Sequence, residues 1–110
     1  MAKAVYQQAG SALNYKNTDS KTIEAGTVVP FSTRIGIAAA DIPAGTVGAL
    51  AMEGVFIVPK AASLAISAGD AVYYNSSDDV IDKTTSGIPA GYAVAAAAAD
   101  DTHVSIKLPG

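Results

Sequence analysis

The 110-residue sequence contains no cysteine, no tryptophan and a single histidine. Without cysteine, neither a disulfide framework nor a thiolate metal site can stabilise the fold. Large apolar side chains are also scarce, because alanine supplies 23 of the 55 hydrophobic residues, and Val, Ile, Leu and Phe together number only 25. That content lies slightly above the level at which chains tend to stay disordered. The composition therefore predicts one small domain with a modest core that gains stability from an assembly.

Charge and hydropathy disfavour several kinds of partner. Seven basic residues stand against ten acidic ones, giving a net charge of -3, which argues against a nucleic-acid backbone as the main partner. No segment approaches the roughly 18 consecutive apolar residues that a membrane span needs. The first residues carry one positive charge with no apolar run behind it, so no secretory signal is expected. The charge is uneven, since residues 1–22 hold three lysines and one aspartate.

A tetrapeptide of the form Ile-x-Ala-Gly occurs four times, at residues 23–26, 42–45, 66–69 and 88–91. Glu, Pro or Ser at its second position and Gly at its fourth fit a type I turn whose last residue needs φ > 0. We expect each isoleucine to anchor its turn in the core and a strand to start after the glycine. In the fourth copy, a loop running into a strand is expected instead. The irregular spacing of the copies argues against a solenoid and for recurring turns in one barrel-like domain.

Val, Ile and Thr number 27, and Gly and Pro interrupt the chain regularly, which is typical of short strands. Residues 34–39 and 54–58 are apolar on both faces and are predicted to be central strands, the second ended by Pro59. Residues 60–64 are the expected site of one short helical turn. The remaining predicted strands are 27–31, 46–52, 70–74, 92–98 and 102–108, with a turn at Asp100 and Asp101 between the last two. The fold class is therefore all-β, a small β-barrel or β-sandwich of short strands with an extended N-terminal arm.

The first 20 residues are predicted to form this arm, and residues 21–110 a single β domain. The arm is polar, and its only anchoring side chains are Val5, Tyr6, Leu13 and Tyr15. Such a segment should be disordered alone, so we expect its own domain or a neighbouring molecule to hold it.

Catalytic chemistry finds little support. His103 is the only conventional general base near neutral pH, and alternation places it on the polar face of the last strand. An enzyme would need it to converge with Asp100 or Asp101 in a cleft. Asp78, Asp79 and Asp82 lie in a loop that lacks the glycine and terminal glutamate of an EF-hand. We expect no catalytic residue, no cofactor and no metal site.

Several segments together resemble one known family. They are MAKAVYQQAG at residues 1–10, LNY at 13–15, I-x-A-G-T-V-V at 23–29, IGIAAADIPAGTVGALAMEGVF at 35–56, VPK at 58–60, I-x-x-G-D-A-V-Y-Y at 66–74, G-x-A-V at 91–94 and the alternating V-x-I-x-L at 104–108. In this order the segments resemble the small capsid cement, or head decoration, proteins of tailed phages and prophages. No single piece is a unique motif, but the likeness covers nearly the whole chain.

The resemblance implies a small β protein that sits in many copies on the outside of a phage head and braces the mature shell. The implied partner is the major capsid protein, and the implied location is the outer capsid surface of a virion, after synthesis in the bacterial host cytoplasm. The arm would contact the shell through Lys3, Val5, Tyr6, Leu13 and Tyr15, as an added strand. An edge strand of its own domain is the alternative for residues 3–8. A homo-oligomer is possible, with a trimer favoured.

A second hypothesis for function is a surface-displayed β-type binding module, possibly directed at carbohydrate. It would require an exposed aromatic platform, and Tyr73, Tyr74 and Tyr92 are the only candidates.

Overall fold

Nine short strands make up the regular structure of the described residues, which include no helix. The computed structural model describes residues 2–7 and 10–109. In this part of the chain, nothing helical is long and apolar enough to cross a membrane. The strands are β1 (Ala12–Lys16), β2 (Val28–Phe31), β3 (Arg34–Ala38), β4 (Val47–Ala51), β5 (Glu53–Pro59), β6 (Ala71–Asn75), β7 (Val80–Asp82), β8 (Ile88–Ala93) and β9 (His103–Pro109).

The strands form two antiparallel sheets, which confirms the all-β prediction. The first sheet has the order β1-β4-β3-β2, and the second has the order β5-β9-β8-β6-β7. A parallel bridge between Lys60 and Ile81 brings β7 back beside the end of β5. The second sheet therefore curls strongly, but it does not close into a barrel.

The first three Ile-x-Ala-Gly copies form turns, as predicted, but the turn type differs. Each glycine has a positive φ, between 77° and 88°, and the following residue donates its N–H to the carbonyl of the residue two before the glycine. This places glycine at the third turn position with φ > 0, which is the signature of a type II turn. The fourth copy lies inside β8, where Ala90 is the extra residue of a bulge opposite β6.

Two other predicted segments are wrong. Residues 60–64 form a tight turn and no helical turn. Within it, Ser63 has left-handed backbone geometry, with φ 59°. The strand predicted over 92–98 ends at Ala93. Beyond it the chain bends, and Ala97 makes an antiparallel bridge with Ile66. The turn predicted at Asp100 and Asp101 and the returning strand are confirmed.

The prediction for central strands is half right. β3 lies inside the first sheet, whereas β5 is the edge strand of the second sheet. β1 and β7 were not predicted: β1 lies within the predicted arm and pairs with β4, and β7 is only three residues long.

The second sheet repeats the pairing scheme of the first. β1-β4-β3-β2 corresponds to β5-β9-β8-β6, with β7 as an addition. The bridge between Ile23 and Ile42 has its counterpart in the bridge between Ile66 and Ala97. Each bridge joins two neighbouring tight turns that lead into strands. The four turns are therefore two equivalent pairs, one in each half of the molecule.

Two hydrophobic cores result. The small core lies on one face of the first sheet and consists of Val29, Ala38, Ile42, Leu50 and Met52, with Leu13, Tyr15 and Ile23 packed against it. The main core consists of the inward-facing side chains of the second sheet together with Ile35 and Ile37 of β3. Since Ile35 and Ile37 project from the face of β3 opposite to Ala38, the first sheet has apolar side chains buried on both faces.

Candidate functional site

A polar pocket of about 260 Å³ lies beside the β6–β7 hairpin. Asp82 is buried there, and its Oδ1 accepts the N–H of Thr84 at 3.0 Å. Its Oδ2 lies 3.4 Å from Nδ2 of Asn75, whose own Oδ1 accepts the N–H of Ser77. These hydrogen bonds hold the β6–β7 hairpin and the loop after β7 in place, so the buried carboxylate of Asp82 has a structural role.

The acidic residues of this hairpin do not form a metal centre. Among the described residues, no group of three or more His, Cys, Asp or Glu side chains is placed to hold an ion. Asp79 instead accepts a hydrogen bond of 2.5 Å from the hydroxyl of Tyr74. Burial, and then this carboxylate, raise the pKa of Tyr74 well above its usual value, so the hydroxyl stays protonated as a donor.

His103 is exposed at the start of β9, and its Nδ1 lies 2.9 Å from the hydroxyl of Thr102. The nearby Asp101 accepts the N–H of Ala98 with Oδ2 at 2.9 Å and so caps its own turn. Asp70 caps the neighbouring turn of the same half in the same way, because its Oδ2 accepts the N–H of Ser67 at 2.9 Å. This hydrogen bond, and then Lys83, lower the pKa of the Asp70 carboxyl. The aspartates at these turns serve local structure.

The three tyrosines that the carbohydrate hypothesis requires do not form an exposed aromatic platform. Tyr74 is only 5% exposed and belongs to the main core. Tyr73 is half-buried, which leaves Tyr92, at 44% exposure, as the one well exposed ring of the three.

Sequence reasoning missed a buried lysine. Lys60 is 5% exposed, and its Nζ donates to the carbonyls of Ala61 (2.9 Å), Leu64 (2.6 Å) and Ala99 (3.3 Å). The ammonium group therefore ties the loop after β5 to the turn before β9. A lysine after a proline gives no signal of burial in the sequence, because lysine is usually exposed.

The five residues predicted to bind a partner fall into two groups. Lys3, Val5 and Tyr6 are exposed, and the exposed fractions of Val5 and Tyr6 are 91% and 84%. Leu13 and Tyr15 lie in β1, half-buried against the small core. The structure thus separates an exposed segment, residues 2–7, from strand β1, which pairs with β4 of its own domain. From here on, the arm means residues 2–7.

A second exposed apolar region lies on the outer face of the second sheet. Val55 and Ile57 of β5 are 60% and 73% exposed, and Tyr92 and the following Val94 are 44% and 39% exposed. We call these four residues the Val55 face. Exposed apolar side chains grouped on one face often mark an interaction surface.

These observations define a class: a small all-β protein of two repeated antiparallel sheets that carries several exposed large apolar side chains. The profile of the phage cement protein family matches residues 7–108. The chain belongs to this family, and it is a structural protein of the phage capsid. Neither the curated proteins nor the solved structures include a match to it.

The family match confirms the resemblance drawn from the sequence and the predicted cement role. It spans both sheets, so the repeated halves and the Val55 face all lie within the matched range. Residues 2–6 of the free arm lie outside it. What these residues do must therefore be argued from their own chemistry.

Proposed function

We propose that this protein braces the outer surface of a tailed-phage head by binding the major capsid protein with its N-terminal arm. Copies made in the host cytoplasm would add to the shell, with a trimer as the favoured assembly. The observation that carries the proposal is the exposure of Val5 and Tyr6, at 91% and 84%. Large apolar side chains at the end of an extended segment are suited to pockets on a partner.

Charge supports an acidic surface as the target of the arm. Residues 1–22 carry a net +2, from three lysines and Asp19, in a chain whose overall charge is -3. Lys3 is exposed beside Val5 and Tyr6. Leu13 and Tyr15 support this contact indirectly, because their packing in the small core fixes β1, from which the arm extends.

Binding of this kind stabilises a shell by linkage. A protein that binds the mature shell and not its precursor or ruptured form lowers the free energy of the mature form by mass action. Contacts repeated over several shell subunits convert weak single interfaces into strong overall attachment. No covalent chemistry is required.

The test compares two double variants for co-sedimentation with purified mature heads. V5S/Y6S removes both apolar side chains of the arm, and we expect at least a tenfold weaker affinity, because burying such a side chain contributes about 1.5–3 kcal/mol. The matched control, F31S/V47S, removes one aromatic residue and one valine that are also exposed, at 44% and 62%. Equal binding by the two variants would show that the arm is not the contact.

A further inference from the structure

β5 combines two properties that rarely occur together. It is the edge strand of the second sheet, and β7 lies beside it only at its end. Between Glu53 and Pro59 it is apolar on both faces, with Phe56 and Val58 directed inward and Val55 and Ile57 outward. Natural edge strands usually carry charged side chains or are covered, since a bare apolar edge promotes association. The outward side chains of β5, Val55 and Ile57, are therefore a candidate contact surface.

Strand register shows that the Val55 face consists of two apolar pairs, one on β5 and one at the end of β8, with Lys107 and Ser105 of β9 between them. Val55 lies opposite Lys107, which in turn lies opposite Tyr92. Ile57 lies opposite Ser105, whose carbonyl accepts the N–H of Val94. Directly paired residues share one face of a sheet, so the four apolar side chains occupy two adjacent rows across three strands.

One positive charge lies within this face. Lys107 is the only charged residue in the two rows, whereas residues 53–109 as a whole carry seven acidic residues against three lysines. Its ammonium group makes only a long contact, of 3.4 Å, with the carbonyl of Leu108. Glu53 lies in the adjacent row of the same face, and a partner that supplied a further carboxylate would offset the desolvation of Lys107 on binding.

The Val55 face adjoins the base of the arm. The carbonyl of Ser11 accepts the N–H of Met52 at 2.9 Å, and Glu53 is the next residue and the first of β5. The arm therefore leaves the domain beside the strand that carries Val55 and Ile57. Both regions also present the same chemistry, which is apolar side chains accompanied by one lysine.

We infer that the Val55 face is a second contact with the capsid shell, on a shell surface that offers apolar side chains and a carboxylate for Lys107. This inference rests on the proposed function and adds a specific surface to it. The arm and the face would engage the shell together, so that each raises the effective concentration of the other.

Single substitutions at exposed or half-buried positions test this. Ile57→Glu places a negative charge on the face and Lys107→Glu reverses its positive charge, while Val47→Glu makes the same change on an exposed valine of the first sheet. We expect the first two to bind mature heads at least tenfold more weakly than the wild type and Val47→Glu to bind within twofold of it. Ile57→Lys should lose less affinity than Ile57→Glu, because the inferred shell carboxylate near Lys107 would repel a glutamate and attract a lysine. Circular dichroism verifies that each variant is folded, and light scattering after size exclusion gives its oligomeric state.

The other outcomes overturn the inference in different ways. Wild-type binding by Ile57→Glu and Lys107→Glu would show that the face does not touch the shell while leaving the cement role intact. Dissociation of an oligomer in Ile57→Glu would assign the face to contacts between copies of this chain. Equal loss in Val47→Glu would reduce the effect to net charge. Failure of the wild-type protein itself to bind heads would overturn the proposed function and this inference together.

Discussion

Two buried polar side chains, Asn17 and Lys60, hold equivalent places in the two halves. Each follows an edge strand, β1 or β5, and each donates to the carbonyl four residues further on, at Lys21 and Leu64 respectively. Asn17 also reaches the carbonyl of Ile42 at 2.8 Å, and Lys60 reaches that of Ala99. An amide and an ammonium group thus serve the same purpose, which is to pair loop carbonyls that would otherwise be buried without donors.

Replacing Lys60 by methionine keeps an unbranched apolar stem and removes the three donors. We expect the free energy of unfolding to fall by about 1–3 kcal/mol, because carbonyls are left buried and unpaired. Lys83→Met is the control, since that lysine is 42% exposed and makes a surface ion pair with Asp70, worth little to stability. Urea denaturation measures both. A Lys60→Met protein as stable as the wild type would show that the loop satisfies its carbonyls in another way.

At the scale of elements, the turns were the most predictable part of the structure. The isoleucine and glycine positions specify where the chain reverses, because glycine alone adopts φ > 0 without strain. The turn type was not predictable, since it depends on which residue the turn hydrogen bond selects. The pairing of the turns into two equivalent sets was hidden because Ala97 and Asp100 occupy the places that Ile and Gly hold in the other three turns.

The candidate site was less predictable than the fold, and β5 shows why. Its continuous apolar sequence predicts a strand buried on both faces, whereas the sheet order places it at an edge. Sequence alone cannot distinguish side chains buried in a core from side chains exposed for a partner, because both are apolar. The arm was predicted as a contact on different grounds, since Val5 and Tyr6 are the large apolar side chains of a polar segment.

Gly91 shows how closely β8 and β9 approach each other. Its φ is +108°, and a Cβ there would lie 1.9 Å from the carbonyl oxygen of Lys107. We expect Gly91→Ala to destabilise the protein by at least ~3 kcal/mol, because backbone strain adds to a clash that the strand pairing cannot relieve. Gly36 is the equivalent position in the first half, and there a Cβ would meet side-chain atoms and no backbone, with Sδ of Met52 at 2.9 Å and Cβ of Leu50 at 3.0 Å. Gly36→Ala should therefore cost less. Similar thermal midpoints for the two variants would contradict this reading of the close approach.

At the scale of the whole molecule, charge and apolar surface are distributed unequally. Residues 53–109 carry a net -4, with seven acidic residues and three lysines, while residues 2–52 carry four basic and three acidic residues. The two halves share one pairing scheme, but the Val55 face has no equivalent in the first sheet. There Ile37 holds the place of Tyr92 and is buried in the main core. The same face of the repeated unit is therefore buried in the first sheet and exposed in the second.

The small size of the cores makes stability depend on the partner. With alanine as 23 of 55 hydrophobic residues, the isolated protein should be only modestly stable, and a protein that binds shells should melt at a higher temperature when attached. At a concentration of binding sites a hundredfold above Kd, linkage adds about 2.7 kcal/mol, which for a domain of this size raises Tm by about 10 °C. Differential scanning calorimetry of the protein alone and with excess mature heads measures the shift. V5S/Y6S serves as the control, and its Tm should rise by about 5 °C or less, because a tenfold weaker affinity roughly halves the linkage free energy. An unchanged Tm for the wild-type protein at saturating heads would contradict preferential binding of the folded state.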